Sequence, residues 1–304
     1  MYNTYKLKNR MKTALVLLCK YAILLGFCFI ILYPLFSKLV IAFMQQQDLY
    51  DNSVKFIPKN FTLFNIRSAV NYLNYFPTLL KTAALVFSLS CLQVFSTMLA
   101  GYGIARFHFP GKRIIFLSAL LTTIVPSQIT SVPMYIYFNN FNIFGIFGSN
   151  GINLIGTPIP LYLMSLTAVS LNNGLFIFLF CQFFKGFPKE LEEAGYIDGA
   201  GSLGVFFRII MPCATAMIIT CFLFSFVWQW TDNSQLNTFW PNNGLLMNMV
   251  EKMPSTMWMQ TSDDYWRSIM NNAGILLLIF PLLILYLFLQ RYFVESIERS
   301  GIVG

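Results

Sequence analysis

Charge is what this sequence lacks most. Only 11% of its 304 residues are Asp, Glu, Lys or Arg, and there is a single His. An ordinary soluble domain carries about 25% charged residues. No Asp, Glu, Lys, Arg or His occurs between 114 and 184, and 213–231 is equally bare. A soluble chain of this size needs more charge to cover its surface. The 57% hydrophobic content and 32 Phe residues therefore read as a polytopic membrane protein.

Other absences exclude whole classes of function. The six cysteines, Cys19, Cys28, Cys91, Cys181, Cys213 and Cys221, form no CxxC pair. They imply neither a disulfide framework nor a zinc site and read as small buried hydrophobes. No cluster of Asp, Glu, His or Cys supports a membrane-embedded enzyme; the lone His108 lies in a basic loop and reads as a surface residue facing lipid headgroups or a neighbour. A phosphate-binding loop needs GxxxxGK[ST]. The only Gly-Lys is Gly111-Lys112, with Arg106 at the first Gly position and Arg113 at the Ser/Thr position, so this chain is not expected to hydrolyse ATP. Secondary transporters and channels usually hold ionisable groups in mid-span. Here no charge lies deep in a span, apart from Lys20 and Lys38 near the ends of the first.

Six stretches are long and apolar enough to cross a bilayer: roughly 14–43, 80–105, 114–138, 160–184, 211–230 and 269–290. Asn172, Asn173 and Gly174 interrupt the fourth, and Pro34, Pro126, Pro133 and Pro281 are expected to kink their helices. The first apolar run outlasts a signal-peptide core and has no small-residue cleavage site after it, so it reads as an uncleaved anchor. The net charge of +8 sits beside span ends, which indicates topology rather than nucleic-acid binding. Twelve Lys and Arg, from Lys6 to Arg299, fall on the side that holds both termini, against five on the other: Lys55, Lys59, Arg67, Lys252 and Arg267. The more basic side is the cytoplasm. The resulting organisation is a cytoplasmic N-terminus (1–13), a first transmembrane helix with an outside loop (14–79), a five-helix core (80–290) and a cytoplasmic tail (291–304). The other outside loops are 139–159 and 231–268.

One polar segment, 185–210, stands between two uncharged runs. Pro188 suits a first helical turn, and Glu190, Glu192 and Glu193 favour the positive end of the helix dipole. Asp198-Gly199 breaks the helix, Ser202 is placed to cap a second one running through Val205, Phe206, Phe207 and Ile209, and Pro212 closes the segment. A short charged helix of this kind suits a groove on another protein.

Its spacing also carries a resemblance. Glu193-Ala194-Gly195, three residues, Gly199, nine residues, Ile209, one residue, then Met211-Pro212 resembles the EAA loop of binding-protein-dependent ABC importers, with Gly195 in place of Ala and Met211 in place of Leu. Gly101 to Arg113, Gln182-Phe183-Phe184 with Pro188 to Ala194, and the tail Gln290 to Val294 ending Gly301 to Gly304 resemble the same stretches of carbohydrate importer permeases. The Lys usual before the final Gly is replaced by Val303. The likeness runs from about residue 80 to the end and points to the maltose-type subfamily, the shorter six-span (MalG-like) permease subunit.

The resemblance implies an all-α type I ABC importer permease fold with six transmembrane helices in a bacterial cytoplasmic (inner) membrane. It implies a homologous second permease, a cytoplasmic ATPase dimer that carries ATP and Mg, and an extracytoplasmic solute-binding protein that meets the 231–268 loop. This chain binds no cofactor on that reading, and its cargo is a sugar or oligosaccharide. The residues implied to couple to the ATPase are Glu190, Glu193, Ala194, Gly195, Asp198, Gly199, Ala200, Ile209 and Pro212. Polar or aromatic residues within spans, Gln128, Asn172, Asn173, Trp228 and Gln229, are candidates to line the pathway. Another ABC cargo, such as a peptide or an acidic oligosaccharide, is the alternative, with Lys38, Lys81 and Arg67 able to favour an anion; a secondary transporter is the more distant one.

Overall fold

The computed structural model describes residues 2–51, 53–54, 56–148, 151–257 and 264–301. Lys55, Trp258 and the terminal Ile302 to Gly304 fall outside the described residues. In chain order the helices are α1 (Tyr2–Ala42), α2 (Gln46–Tyr50), α3 (Phe64–Tyr72), α4 (Tyr75–Arg106), α5 (Lys112–Ile124), α6 (Ser127–Asn139), α7 (Ile159–Leu166), α8 (Asn173–Gly186), α9 (Glu190–Ile197), α10 (Ser202–Val205), a π-helical turn (Phe206–Ile210), α11 (Met211–Cys213), α12 (Thr215–Thr231), α13 (Ser234–Phe239), α14 (Leu246–Met257) and α15 (Asp264–Gly301). The only extended pairings among the described residues are two isolated antiparallel bridges, Met44 with Phe61 and Phe141 with Ile152.

Three of the expected spans are single long helices, with apolar stretches Met11–Ala42, Tyr75–Arg106 and Trp266–Tyr292. Pro34 and Pro281 lie inside continuous helices. The other three spans are broken, and the chain chemistry explains each break. The expected 114–138 span is no kinked rod: α5 and α6 meet at 108°. Pro126 disfavours helical geometry in the residue before it, and Val125 is accordingly extended (φ −71, ψ 121). At 13 residues each, α5 and α6 reach about 20 Å apiece, short of the hydrocarbon thickness. The 160–184 span divides into α7 and α8. Between them Ala168 and Asn172 take left-handed backbone (φ 56 and 53), and Asn is among the residues that tolerate it. The 211–230 span bends by 77° between the segment ending at Cys213 and α12.

The chain divides into two compact units. The first comprises Met1–Leu73 with Val250–Leu278. In it, α1 leaves its apolar side chains exposed from Met11 to Phe36, as expected for a helix whose surroundings are lipid. Asn65 is buried and donates its amide to the carbonyls of Ala42 (3.0 Å) and Met44 (2.8 Å), capping the end of α1. Asp48 accepts from the backbone and side chain of Asn60, both at 2.8 Å. Lys38 donates to Asn272 at 3.3 Å.

The second unit comprises Asn74–Met249 with Ile279–Gly304. Its centre is α4, which packs chiefly on α8 and then on α12. The core contains Val94, Met98 and Tyr102 of α4, Phe176, Phe180 and Phe184 of α8, then Val205, Phe206, Ile210, Ala214 and Cys221. Tyr102 sits among three rings, with centroids 5.0 Å from Phe206, 5.3 Å from Phe184 and 5.9 Å from Phe107. Only Cys181 and Cys221 are buried; Cys19, Cys28, Cys91 and Cys213 are exposed on apolar helices. The reading of all six as buried hydrophobes is corrected in that respect, since a lipid-facing helix side suits a thiol as well as a core does.

Close approach of α4 to α8 depends on Gly101. A Cβ there would lie 2.6 Å from Phe180 Cβ and 3.0 Å from the Cys181 backbone nitrogen. Small residues at membrane helix crossings allow such contacts. Gly101→Leu is expected to lower the thermal stability of the solubilised protein by about 1–3 kcal/mol, read as a fall in Tm, with Gly103→Leu, whose position has only Phe107 at 3.9 Å, as the milder control.

Candidate functional site

The polar 185–210 segment forms a hook of two short arms. The first arm, α9, carries Glu190, Glu192 and Glu193 in its first turn, where the helix dipole favours them. Its N-cap is Lys189, so Pro188 stands one residue before the cap rather than in the first turn. At the far end Gly199 adopts φ +82. Its N–H donates to Tyr196 O (3.1 Å), and the Ala200 N–H donates to Gly195 O (3.0 Å). This is the Schellman pair of bonds, which needs a left-handed residue at that position. Nothing crowds Gly199, so its requirement is one of backbone conformation alone.

The second arm starts at Gly201, which is the N-cap of α10; Ser202 makes no capping bond, in contrast to the expectation. The backbone then widens into the π turn at Phe206–Ile210. Pro212 supplies a reason: it has no N–H, and its ring excludes the carbonyl four residues back, at Arg208. The Pro212 carbonyl instead accepts from Thr215 Oγ1 at 2.6 Å, just past the bend into α12.

The two arms close on one another at Gly195. A Cβ there would fall 2.6 Å from Ile209 Cδ1 and 3.1 Å from Val205 Cγ2. Gly195 therefore has a packing role that its helix propensity conceals: it is the seat of Ile209. Ala200, Ile209 and Met211 pack against the core of the second unit.

The contact that fixes the hook joins two residues far apart in sequence. Arg106, the last residue of α4, places Nε 2.7 Å from Glu192 Oε1, and both side chains are about nine-tenths buried (8% and 11% exposed). Arg106 Nη2 also donates to Phe187 O at 2.7 Å. The signal lay in the sequence as a lone Arg ending a span and a Glu beside the two carboxylates on the free face, but only the fold brings them together.

What remains outside is a mixed face. Glu190, Glu193, Ala194 and Asp198 are exposed. Beside them stand Leu191 (43% exposed), Ile197 (86%) and Leu203 (72%). Pro212 is exposed at the base. Large apolar side chains left bare among charges are characteristic of surfaces that meet another protein or a membrane.

The pathway candidates have different surroundings. Gln229 and Asn173 are buried in one network centred on Gln93. Gln93 Nε2 donates to Asn173 Oδ1 and Leu171 O, each at 2.5 Å, while its Oε1 accepts from Ser225 Oγ (2.6 Å) and Gln229 Nε2 (2.8 Å). These groups bind α4, α8 and α12 to one another. Trp228 packs its ring against Phe224 (5.6 Å) and Phe176 (5.4 Å). Asn172 stands at the N-cap position of α8 without a side-chain capping bond and is exposed, and Gln128 is exposed near the start of α6.

Residues 94–299 match the family described as binding-protein-dependent transport system inner membrane component. The chain is 27% identical to the probable ABC transporter permease protein YurM of Bacillus subtilis, over 90% of this chain and 84% of that one. It is 26% identical to the arabinooligosaccharides transport system permease protein AraQ of Halalkalibacterium halodurans (91% and 92%). It is 27% identical to the sn-glycerol-3-phosphate transport system permease protein UgpE of Escherichia coli (89% and 92%). In structure it resembles a chain of a bacterial ABC transporter involved in import of the acidic polysaccharide alginate, with TM-score 0.69 at 17% identity, covering 91% of this chain and 96% of that one.

A double-mutant cycle tests the buried pair. Arg106→Gln and Glu192→Gln are each expected to destabilise the protein by about 3 kcal/mol, because each strands a buried charge. The double variant is expected to recover part of that loss, with a coupling of about 1–3 kcal/mol in thermal or denaturant unfolding. Strict additivity of the two losses would show that the pair does not act as a unit.

Proposed function

We propose, on the premise that this chain belongs to the family of binding-protein-dependent transport system inner membrane components, that it is the sugar-importing permease subunit whose α9 hook takes up the stroke of a separate ATPase. The observation that carries the proposal is the combination at α9: a helix clamped by a buried ion pair on its inner side and bearing Glu190, Glu193, Leu191 and Ile197 on its outer side. A surface that docks and a base that does not yield are what a lever needs.

In this proposal the hook and both termini lie in the cytoplasm of a bacterial cell, in accord with the distribution of Lys and Arg. A homologous second permease supplies the other half of the pathway. Each hook enters a cleft of an ATPase dimer, which holds ATP and Mg; this chain holds neither. A solute-binding protein docks on the outer side, at the 231–268 loop. Chemistry plays no part in this subunit's work, which is the relative motion of helices.

The cargo is a sugar or oligosaccharide. Support comes from the relative named for arabinooligosaccharides; a relative of near-equal identity is named for sn-glycerol-3-phosphate, an anion. An anionic cargo gains little from the lysines on this chain's outer half. Lys38 is engaged by Asn272. Lys81 donates to Asn243 O (2.5 Å) and lies 5.3 Å from the Trp240 ring centroid.

Two experiments test these points. Glu193→Lys and Ile197→Asp are expected to lower ATPase copurification by roughly tenfold or more, as central interface residues do, with membrane insertion unchanged; normal copurification with both variants overturns the docking role. In proteoliposomes of the assembled transporter with its binding protein, ATP-dependent uptake of radiolabelled neutral oligosaccharides is expected to exceed that of glycerol phosphate. The reverse order overturns the cargo assignment.

A further inference from the structure

A basic feature adjoins the hook and shares Lys185 with the start of its segment. A cleft of about 550 Å³ opens between the start of α5 and the end of α8. Ile104, Phe109 and Phe116 form its apolar lining, and Lys112, Arg113 and Lys185 its polar lining. The volume falls in the range of small-molecule sites, roughly 300–1,000 Å³. No carboxylate lines it, and none of the three cations is in an ion pair among the described residues. Lys112 donates to the Phe107 carbonyl at 3.0 Å, and Lys185 stands over the Phe116 ring at 5.2 Å. Both ammonium groups are thereby held at the cleft with donors to spare. The α5 helix begins here at Gly111 with no side-chain cap, so first-turn N–H groups also face this end of the helix.

Three positive charges gathered without a counter-charge, on an apolar floor, suit an anionic group carried on an apolar body. The rest of α5 supplies a place for that body. Ile114, Leu117, Leu121 and Ile124 are exposed (71, 49, 58 and 76%), and the helix holds no buried residue. An apolar helix side that continues directly from a basic cleft matches a phospholipid, headgroup above and acyl chains below. Basic pockets between transmembrane helices on the cytoplasmic side bind anionic lipid headgroups in this way.

We propose that Lys112, Arg113 and Lys185 form a binding site for the phosphate headgroup of an anionic phospholipid of the cytoplasmic leaflet, with its acyl chains along α5. The proposal rests on the orientation given above. His108, exposed in the adjoining loop, lies at the same level.

The test uses the assembled transporter in phosphatidylcholine nanodiscs doped with phosphatidylglycerol. Retained phosphatidylglycerol is measured by native mass spectrometry and its affinity by titration. Each neutralised charge is expected to weaken binding about fivefold, and the triple change K112Q, R113Q and K185Q on the order of a hundredfold. Lys12→Gln, on the same side but outside the cleft, is expected to leave it unchanged. If the triple variant does not insert, Lys185→Met keeps the stem over Phe116 and is expected to show the single fivefold loss. Equal phosphatidylglycerol retention in the wild type and the variants overturns the site. So does loss of ATPase copurification with lipid retention intact, which would assign the cations to the ATPase. Displacement of bound lipid by inorganic phosphate alone would mark a soluble-anion site and overturn the lipid assignment. Orientation is read separately: His108→Cys, in a background with the six native cysteines replaced by Ser, is expected to resist an impermeant maleimide in intact cells and react in inverted vesicles. Labelling in intact cells refutes the orientation, whatever the lipid result.

Discussion

The buried pair between Arg106 and Glu192 is the constraint on which the rest of this structure depends. Two charges at 2.7 Å, each about nine-tenths buried, are held where desolvation disfavours them unless they stay together. The second Arg106 nitrogen is taken by the Phe187 carbonyl, so the guanidinium ties down both the approach to α9 and its inner face. The alternative to this arrangement is not a looser hook but an exposed or stranded charge. The helix proposed to meet the ATPase is thus fastened directly to the last residue of the longest helix in the second unit.

That helix, α4, is in turn locked to its neighbours by two unlike means. Near its hook end, Gly101 removes the side chain that would keep α8 away, and the gain is dispersion between backbones in contact. Further along, Gln93 spends its whole amide on α8, α12 and the Leu171 carbonyl. In an apolar setting such a network is costly to open, because each partner left behind is a buried polar atom without a bond. The same arithmetic explains why polar residues within spans are ambiguous in sequence. Asn173 and Gln229 have the composition of pathway residues, and in this chain Asn173 Oδ1 and Gln229 Nε2 are also engaged by Gln93, a helix-joining role that the same composition fits equally.

Much of the architecture was legible in the residues. The positions of the apolar runs follow from hydropathy alone, and the break at Asp198-Gly199 follows from the backbone freedom of Gly. The bends were legible only in part. Pro126 announced a kink, but a right-angle turn between α5 and α6 needs the neighbouring helices to define where each half goes. Pro34 and Pro281, equally visible, interrupt nothing. Gly195 shows the limit most clearly: read locally it is a poor helix former, whereas the fold makes it the contact point for Ile209, a residue fourteen positions later. Ser202 erred in the other direction, since a residue with capping chemistry was passed over for Gly201. Pairings across sequence distance, such as Arg106 with Glu192, have no local periodicity to betray them.

The hook is held at each end by a different kind of interaction, and this decides how a push would travel. On the inner side the connection is electrostatic, through Glu192 into the end of α4. Toward the C-terminal end of α9 it is steric, through the buried Gly195, Ile209 and the π turn, whose Phe206 and Ile210 lie in the same core as Tyr102 and Phe184. Force applied to Glu190, Glu193 or Ile197 therefore enters α4 and the base of α12 together. Both routes end in a single packed cluster, which close packing makes hard to deform piecemeal. A lever attached at one point would bend where it is attached; one attached at two points of the same rigid body moves that body.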